Sequence, residues 1–140
     1  MKNSVSKISS FLTTKTVFLF DGIGAILSLL FTGLLLPIFY EQLGLPRSIL
    51  YCLALFPFIY AIFSLSCYFL PKKTARWMLN TVIGANSGYC ILSGVLLLTY
   101  PGITIWGQAI LSAEILVVLA VVTIEAKVLK QLYKLESSPS

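Results

Sequence analysis

No histidine occurs anywhere in the chain. That absence removes histidine-ligated haem, histidine-based metal sites and histidine acid–base catalysis. Cysteine is scarce as well. Cys52, Cys67 and Cys90 each fall inside an apolar run and no pair has C-x-x-C spacing, so neither a disulfide framework nor a thiol redox or zinc centre is expected. There is no G-x-S-x-G and no glycine-rich phosphate loop, hence no hydrolase or nucleotide signature. Charge is thin too, at 11% of 140 residues against 58% hydrophobic. A chain this apolar is not a soluble domain of its size. The expectation is one small membrane domain, non-enzymatic, with no cofactor and no metal site.

What charge there is sits in short basic clusters at the ends of apolar runs. The net charge of +5 therefore reads as the orienting signal of a membrane protein and not as a nucleic-acid surface. The fold class expected is all-α, an integral membrane, antiparallel bundle of four transmembrane helices. Residues 1–16 read as a basic cytoplasmic or interfacial arm, 17–130 as the membrane domain with spans at about 17–40, 48–70, 77–100 and 103–126, and 131–140 as a cytoplasmic tail. The first run is too long for the core of a signal peptide and lacks an A-x-A cleavage pattern, so it reads as an uncleaved span. Pro57 predicts a kink in the second span. Pro101 and Gly102 predict a tight reversal into the fourth, and connections this short make neighbouring helices antiparallel. Val128, Leu129, Leu132 and Leu135 then continue a helical pattern opposite Lys127, Lys130 and Lys134, which predicts an extension along the cytoplasmic surface.

Lysine and arginine also set the orientation. The amino-terminal arm, the loop with Lys72, Lys73 and Arg76, and the carboxyl tail hold three each, whereas the opposite side has Arg47. Both termini are expected in the cytoplasm of a bacterial inner membrane.

The chain is organised around its fourth run, where Glu114 interrupts an apolar stretch long enough, at ~33 Å, to cross a ~30 Å bilayer core. An ionised acid near the midplane with no partner costs several kcal/mol. Depth arithmetic places Asn86 of the third span in the same layer, with Ser28 and Tyr60 close by. Two readings of Glu114 stay open. In one it keeps its proton, bonds to the amide oxygen of Asn86 and fixes helix register. In the other it is a proton- or ligand-linked site, the default for an ionisable residue inside a membrane. A second layer nearer the cytoplasm gathers Asp21, Asn80, Ser64, Cys67 and Glu125. The candidate polar site is thus Glu114, Asn86, Asp21 and Asn80. Asp21 reads as structural, close to the interface where Lys15 or Arg76 reaches it. Glu125 reads as a solvated group beside Lys127 at the membrane edge, although eleven residues place it on the same helix face as Glu114.

Gly84 and Gly88 form a G-x-x-x-G in the third span, a candidate helix-packing face within the monomer or between copies. Tyr40, Tyr51, Trp77, Tyr100 and Trp106 fall at span ends, as interface anchors do.

The stretches Phe18-Leu19-Phe20-Asp21-Gly22-Ile23-Gly24-Ala25, Pro46-Arg47-Ser48-Ile49-Leu50-Tyr51, Ser66-Cys67-Tyr68-Phe69, Ala85-Asn86-Ser87-Gly88-Tyr89-Cys90 and Glu114 to Glu125 resemble a group of small four-span membrane proteins of unassigned function from Bacteroidetes-type bacteria. The resemblance implies an inner-membrane protein and carries over no catalytic residue. A looser likeness is to the small multidrug transporters, which also have four spans and an intramembrane glutamate. Theirs lies in the first span, whereas here the midplane acid is in the fourth. The function expected is binding of a lipid or a membrane protein partner, or a second copy, through a polar intramembrane seam. The alternative is a small proton-coupled transporter using Glu114. A closed, dry seam favours the first reading, and a funnel reaching Glu114 favours the second.

Overall fold

A computed structural model describes residues 2–69 and 75–137, and among side chains those of 4, 15–69 and 76–137. These residues form α1 (Lys2–Leu30), a π-helical turn (Phe31–Leu35), α2 (Leu36–Ile38), α3 (Tyr40–Leu43), α4 (Arg47–Phe69), α5 (Ala75–Thr99) and α6 (Ile105–Ser137), with no strand among them. Four helical stretches are long and apolar enough to cross a membrane: Lys15–Ile38, Arg47–Phe69, Arg76–Thr99 and Ile105–Ser137. The protein is an all-α four-helix bundle. Pro71, Lys72 and Lys73 of the loop between the second and third spans, and the side chains of Lys2 and Lys7, lie outside the described residues.

The helices follow from the solvent. In lipid every backbone polar group must be satisfied within its own segment, and a helix does this. The outward faces carry large apolar side chains such as Leu98, Ile105 and Phe69, each more than three-quarters exposed. Inside, large apolar side chains are joined by small and polar groups: Ser64, Ser93, Thr32, Ala54, Ala61 and Glu125 are all buried.

Two ends of the chain depart from expectation. The basic arm is no separate element, since α1 runs unbroken from Lys2 into the first span. At the other end α6 does not turn along a surface. Its 33 residues make a helix of ~50 Å, some 20 Å longer than a bilayer core. Arg76 at the start of α5 straps the overhang by an ion pair with Glu136 and by lying 4.1 Å over the Tyr133 ring. Pro57 sits inside α4, which remains helical throughout.

The π turn was not foreseen. Pro37 has no N–H to return to the preceding turn, and the Leu36 N–H reaches five residues back to the Phe31 carbonyl. The Pro37 carbonyl then accepts from Arg47 Nε at 3.2 Å.

Both termini leave from one end of the bundle, and the two short reversals meet at the other. There the Thr104 N–H donates to the Leu43 carbonyl at 3.1 Å, and Thr104 Oγ1 donates to the Gln42 carbonyl at 2.5 Å. Gly44 closes α3 with φ of +70°, and a Cβ there would lie 1.9 Å from the Gly102 carbonyl oxygen. Gly107 is equally confined, since its Cβ would stand 2.4 Å from the Leu43 carbonyl oxygen. This clasp sits on an apolar cluster of Leu36, Leu43, Leu45, Leu50, Leu53, Ile103 and Leu111. Beside it Tyr40 donates to Glu41 at 2.7 Å, which raises the phenol above its usual range. A second cluster closes the terminal end, where Phe18, Cys67, Met78, Leu79, Val82 and Val128 bring all four long helices together.

Because the clasp leaves no room for a side chain, Gly44→Ala and Gly107→Ala should each lower stability by about 1–3 kcal/mol through strain and overpacking. Gly88→Ala should be near neutral, since nothing lies within 4 Å of a Cβ there. Thermal unfolding of the three variants in one detergent measures the difference; equal losses at all three sites would disprove the clasp.

Candidate functional site

Between the two apolar clusters the bundle is polar and incompletely packed. One group from each long helix meets there. Ser64 of α4 donates to Asp21 of α1. Asp21 and Glu125 of α6 line the same cavity. Asn86 of α5 donates its amide to both carboxyl oxygens of Glu125, at 3.3 Å each. About three turns along α6 a second bridge forms, where Thr32 and Ser28 donate to Glu114 Oε1 at 2.9 and 3.3 Å. The π turn begins just before Thr32 and the residue is fully buried, so the irregular backbone carries one half of this bridge. Tyr89 Oη, Ser93 Oγ and Glu114 Oε2 are buried beside it without a hydrogen-bond partner.

A cleft of about 760 Å³ runs between the two bridges, lined by Asp21, Ser28, Tyr60, Asn86, Tyr89, Glu114 and Glu125 together with apolar side chains from α1, α4 and α6. Phe20 and Gly24 on α1, and Val117 and Ile124 on α6, line it and are themselves exposed. Its mouth therefore faces sideways, between α1 and α6, at the level of the membrane-spanning segments. The volume falls in the ~300–1,000 Å³ range of small-molecule sites.

Of the residues expected at the site, Glu114, Asn86 and Asp21 line the cleft. Asn80 does not: it is exposed on the outer side of α5, and Asn86 takes the place in the ring expected for it. The pairing of Glu114 with Asn86 is also corrected. Cys90 Sγ approaches the Ile115 carbonyl at 3.9 Å, which fixes the α5–α6 register and places Asn86 between the two glutamates. Side chains lean toward the amino terminus of their own helix. In this antiparallel pair Asn86 leans to the terminal end and Glu125 leans up to meet it, whereas Glu114 leans away toward the clasp and finds Ser28 and Thr32.

Glu125 is the largest correction. It is no solvated edge residue but 1% exposed. The sequence reading ended the fourth span at 126, but Val128, Leu129 and Leu132 still pack inside the bundle, so Glu125 is interior. The eleven-residue spacing from Glu114 was the signal that located it. Thr32 and Tyr89 were missed, although Thr32 lies four residues after Ser28 and Tyr89 three after Asn86, one helical turn along the same faces. Among the described residues nothing lies within 4 Å of a Cβ placed at Gly84 or Gly88, so no close helix approach forms on that face here.

Arg76, one of the cations expected near Asp21, is engaged with Glu136 instead. Lys15 lies 5.6 Å from the Tyr68 ring centroid at the terminal end.

Double-mutant cycles read this pairing directly. Thr32→Val combined with Glu114→Leu should show a coupling of about 0.6–2 kcal/mol in unfolding free energy, the range for interhelical hydrogen bonds in lipid. Asn86→Leu should couple to Glu125→Leu and not to Glu114→Leu. A strong Asn86–Glu114 coupling with none to Glu125 would refute the register.

Comparison of the chain with family models, with curated proteins and with solved structures gives no match in any of the three, so the geometry of the cleft is what speaks for function.

Proposed function

We propose that the protein is a non-enzymatic membrane protein that binds a membrane-dissolved ligand in the cleft between α1 and α6. The observation that carries this reading is the cleft itself: an acid-bearing cavity closed at both ends by apolar clusters and opening sideways. A ligand arriving from the lipid meets exposed Phe20 and Val117 at the rim and polar groups behind them. Helix glue alone needs no such space, because packing of helices in lipid rests on close contact. A second reading, proton-coupled transport, is favoured by the placement of Glu114 and Glu125 at opposite ends of the same cleft.

One labelling experiment separates the readings. Val121 lines the cleft, whereas Cys52 faces outward. With Cys67 and Cys90 replaced by alanine, Val121→Cys should react with N-ethylmaleimide about tenfold faster than Cys52, because the reacting thiolate needs a polar surrounding. Protection equal to that of Cys52 would mean a dry seam and overturn the binding site. Reaction with membrane-impermeant thiol reagents from one face of the membrane fits binding, and reaction from both faces fits transport.

We place the protein in a bacterial inner membrane with both termini cytoplasmic. Support comes from the even number of spans and from the lysines of the carboxyl tail, Lys127, Lys130 and Lys134, against Arg47 at the clasp end. An alkaline-phosphatase fusion near Gly44 should be active and one at Ser140 silent; the reverse pattern would invert the orientation.

A further inference from the structure

The end of the cleft toward the clasp carries polar atoms that the chain itself leaves incomplete. Tyr89 is 3% exposed and lines the cleft, and its phenol oxygen has no hydrogen-bond partner among the described residues. Its ring packs against Phe56 of α4, with centroids 5.8 Å apart. Glu114 is half completed. Its Oε1 accepts from Thr32 and Ser28, whereas Oε2 is buried without a partner. The approach of Cys90 Sγ to the Ile115 carbonyl puts Tyr89 and Glu114 at one level, since each is the chain neighbour of one member of that contact. Ser93 Oγ, one turn beyond Tyr89, is unpartnered too but does not line the cleft.

An unpaired buried donor or acceptor forgoes a hydrogen bond that lipid tails cannot supply. A bound head group that reaches both residues restores it. A hydroxyl donates and accepts at once, so it serves the phenol and the carboxyl alike. An ammonium has donors and no lone pair, and leaves the phenol hydrogen unpaired. An anionic head meets Asp21, Glu114 and Glu125 and finds no lysine or arginine in the lining. The described cations stand elsewhere. Arg47 is held at the clasp end by the Pro37 carbonyl and the Tyr40 ring, and Arg76 pairs with Glu136. Lys127, Lys130 and Lys134 are exposed beyond Glu125. Thr16 lines the opposite end of the cleft, and its neighbour Lys15, 5.6 Å from the Tyr68 ring centroid, is ~20 Å down α1 from Ser28. Below the polar end Val117, Val118 and Val121 offer an apolar wall, and the mouth between α1 and α6 opens to lipid.

We infer that the clasp end of the cleft takes the hydroxyl-bearing head of an uncharged amphiphile such as a monoacylglycerol. Tyr89 and Glu114 Oε2 bond the head, and the acyl chain leaves between α1 and α6 into the bilayer. The inference rests on the binding reading above and names its ligand class.

The test uses the full chain in phosphatidylcholine nanodiscs carrying one of four oleyl probes: monooleoylglycerol, methyl oleate, oleylamine or oleoyl lysophosphatidic acid. Monooleoylglycerol should raise the unfolding temperature saturably, by about 5 °C at ten times Kd. Methyl oleate shares the chain and has no hydroxyl, and the other two carry charge; all three should act much less. Tyr89→Phe should bind monooleoylglycerol about fivefold more weakly. Without the probe its unfolding temperature should equal or exceed the parent's, because the variant removes an unpaired donor. Glu114→Leu should lose the preference for monooleoylglycerol over methyl oleate, and Thr32→Val, which leaves Oε2 in place, should keep it. Equal effects of those two probes, or a stronger effect of either charged one, would overturn the hydroxyl site while leaving a binding cleft. A Tyr89→Phe variant that is less stable without the probe yet binds as the parent does would also overturn it, by showing that the phenol is completed within the chain or by water. Binding of no probe overturns it too, and the Val121→Cys labelling then tells whether the cleft reading also falls.

Discussion

The polar ring in which Ser64 bonds to Asp21 and Asn86 bonds to Glu125, one group from each long helix, is the constraint on which the bundle depends. In water two such acids would face outward and cost nothing. In a bilayer the outer surface is hydrocarbon, so they must turn inward and find donors there. Each long helix supplies one member, and their rotations about their own axes are thereby fixed together. Turning α6 by a third of a turn would put Glu125 against lipid and leave the Asn86 amide unpaired. Apolar side chains exert no comparable control, because lipid tails are as apolar as leucine and favour neither face.

What ring and clasp divide between them is level and rotation. The clasp sets level: Gly44, Gly102 and Gly107 let two reversals touch backbone to backbone, and the Thr104 bonds to Gln42 and Leu43 hold the carboxyl-terminal hairpin at a fixed height against the amino-terminal one. From that anchor, α-helical rise sends Glu114 to Thr32, and three turns farther sends Glu125 to the cavity that Asp21 also lines. The π turn then matters for register. One extra residue in the turn shifts the faces that follow it, so Thr32 serves the interior bridge and Leu36 still reaches the clasp core.

The four spans, their antiparallel order and the reversals were legible in the sequence because each rests on a long run or on a Pro-Gly pair whose meaning does not depend on context. The polar layers were legible only as layers. Depth arithmetic brought Asp21 and Ser64 together and set Ser28 near Glu114, but it treats a side chain as a point at its Cα and ignores which way it leans. That is why Asn86 went to Glu114 and not to Glu125. Asn80 failed for a different reason: depth carries no information about rotation, and six residues separate it from Asn86, a step that leaves the two on different faces of α5. Glu125 was lost to a boundary, since Lys127 marked an edge that packing of Val128 and Leu132 moves outward.

A cleft between helices in lipid needs a reason to stay open. Gly24 and Ala25 on α1 face Val117 and Val121 on α6, and small residues of this kind ordinarily let two helices close on each other. Here they do not, because both ends of the interval are propped. Below, Phe18 stands between the helices as a buried wedge, 2% exposed, packed in the cluster with Val128 and Met78. Above, the carboxyl of Glu114 spans the gap to Ser28 and Thr32, and a hydrogen bond has a length that a van der Waals contact between glycines does not need. The space thus forfeits dispersion contacts that a bundle packed for stability alone would make. Small residues lining a propped gap, with unsatisfied polar atoms of Tyr89 and Glu114 at its inner end, are the features from which the proposed binding role is argued.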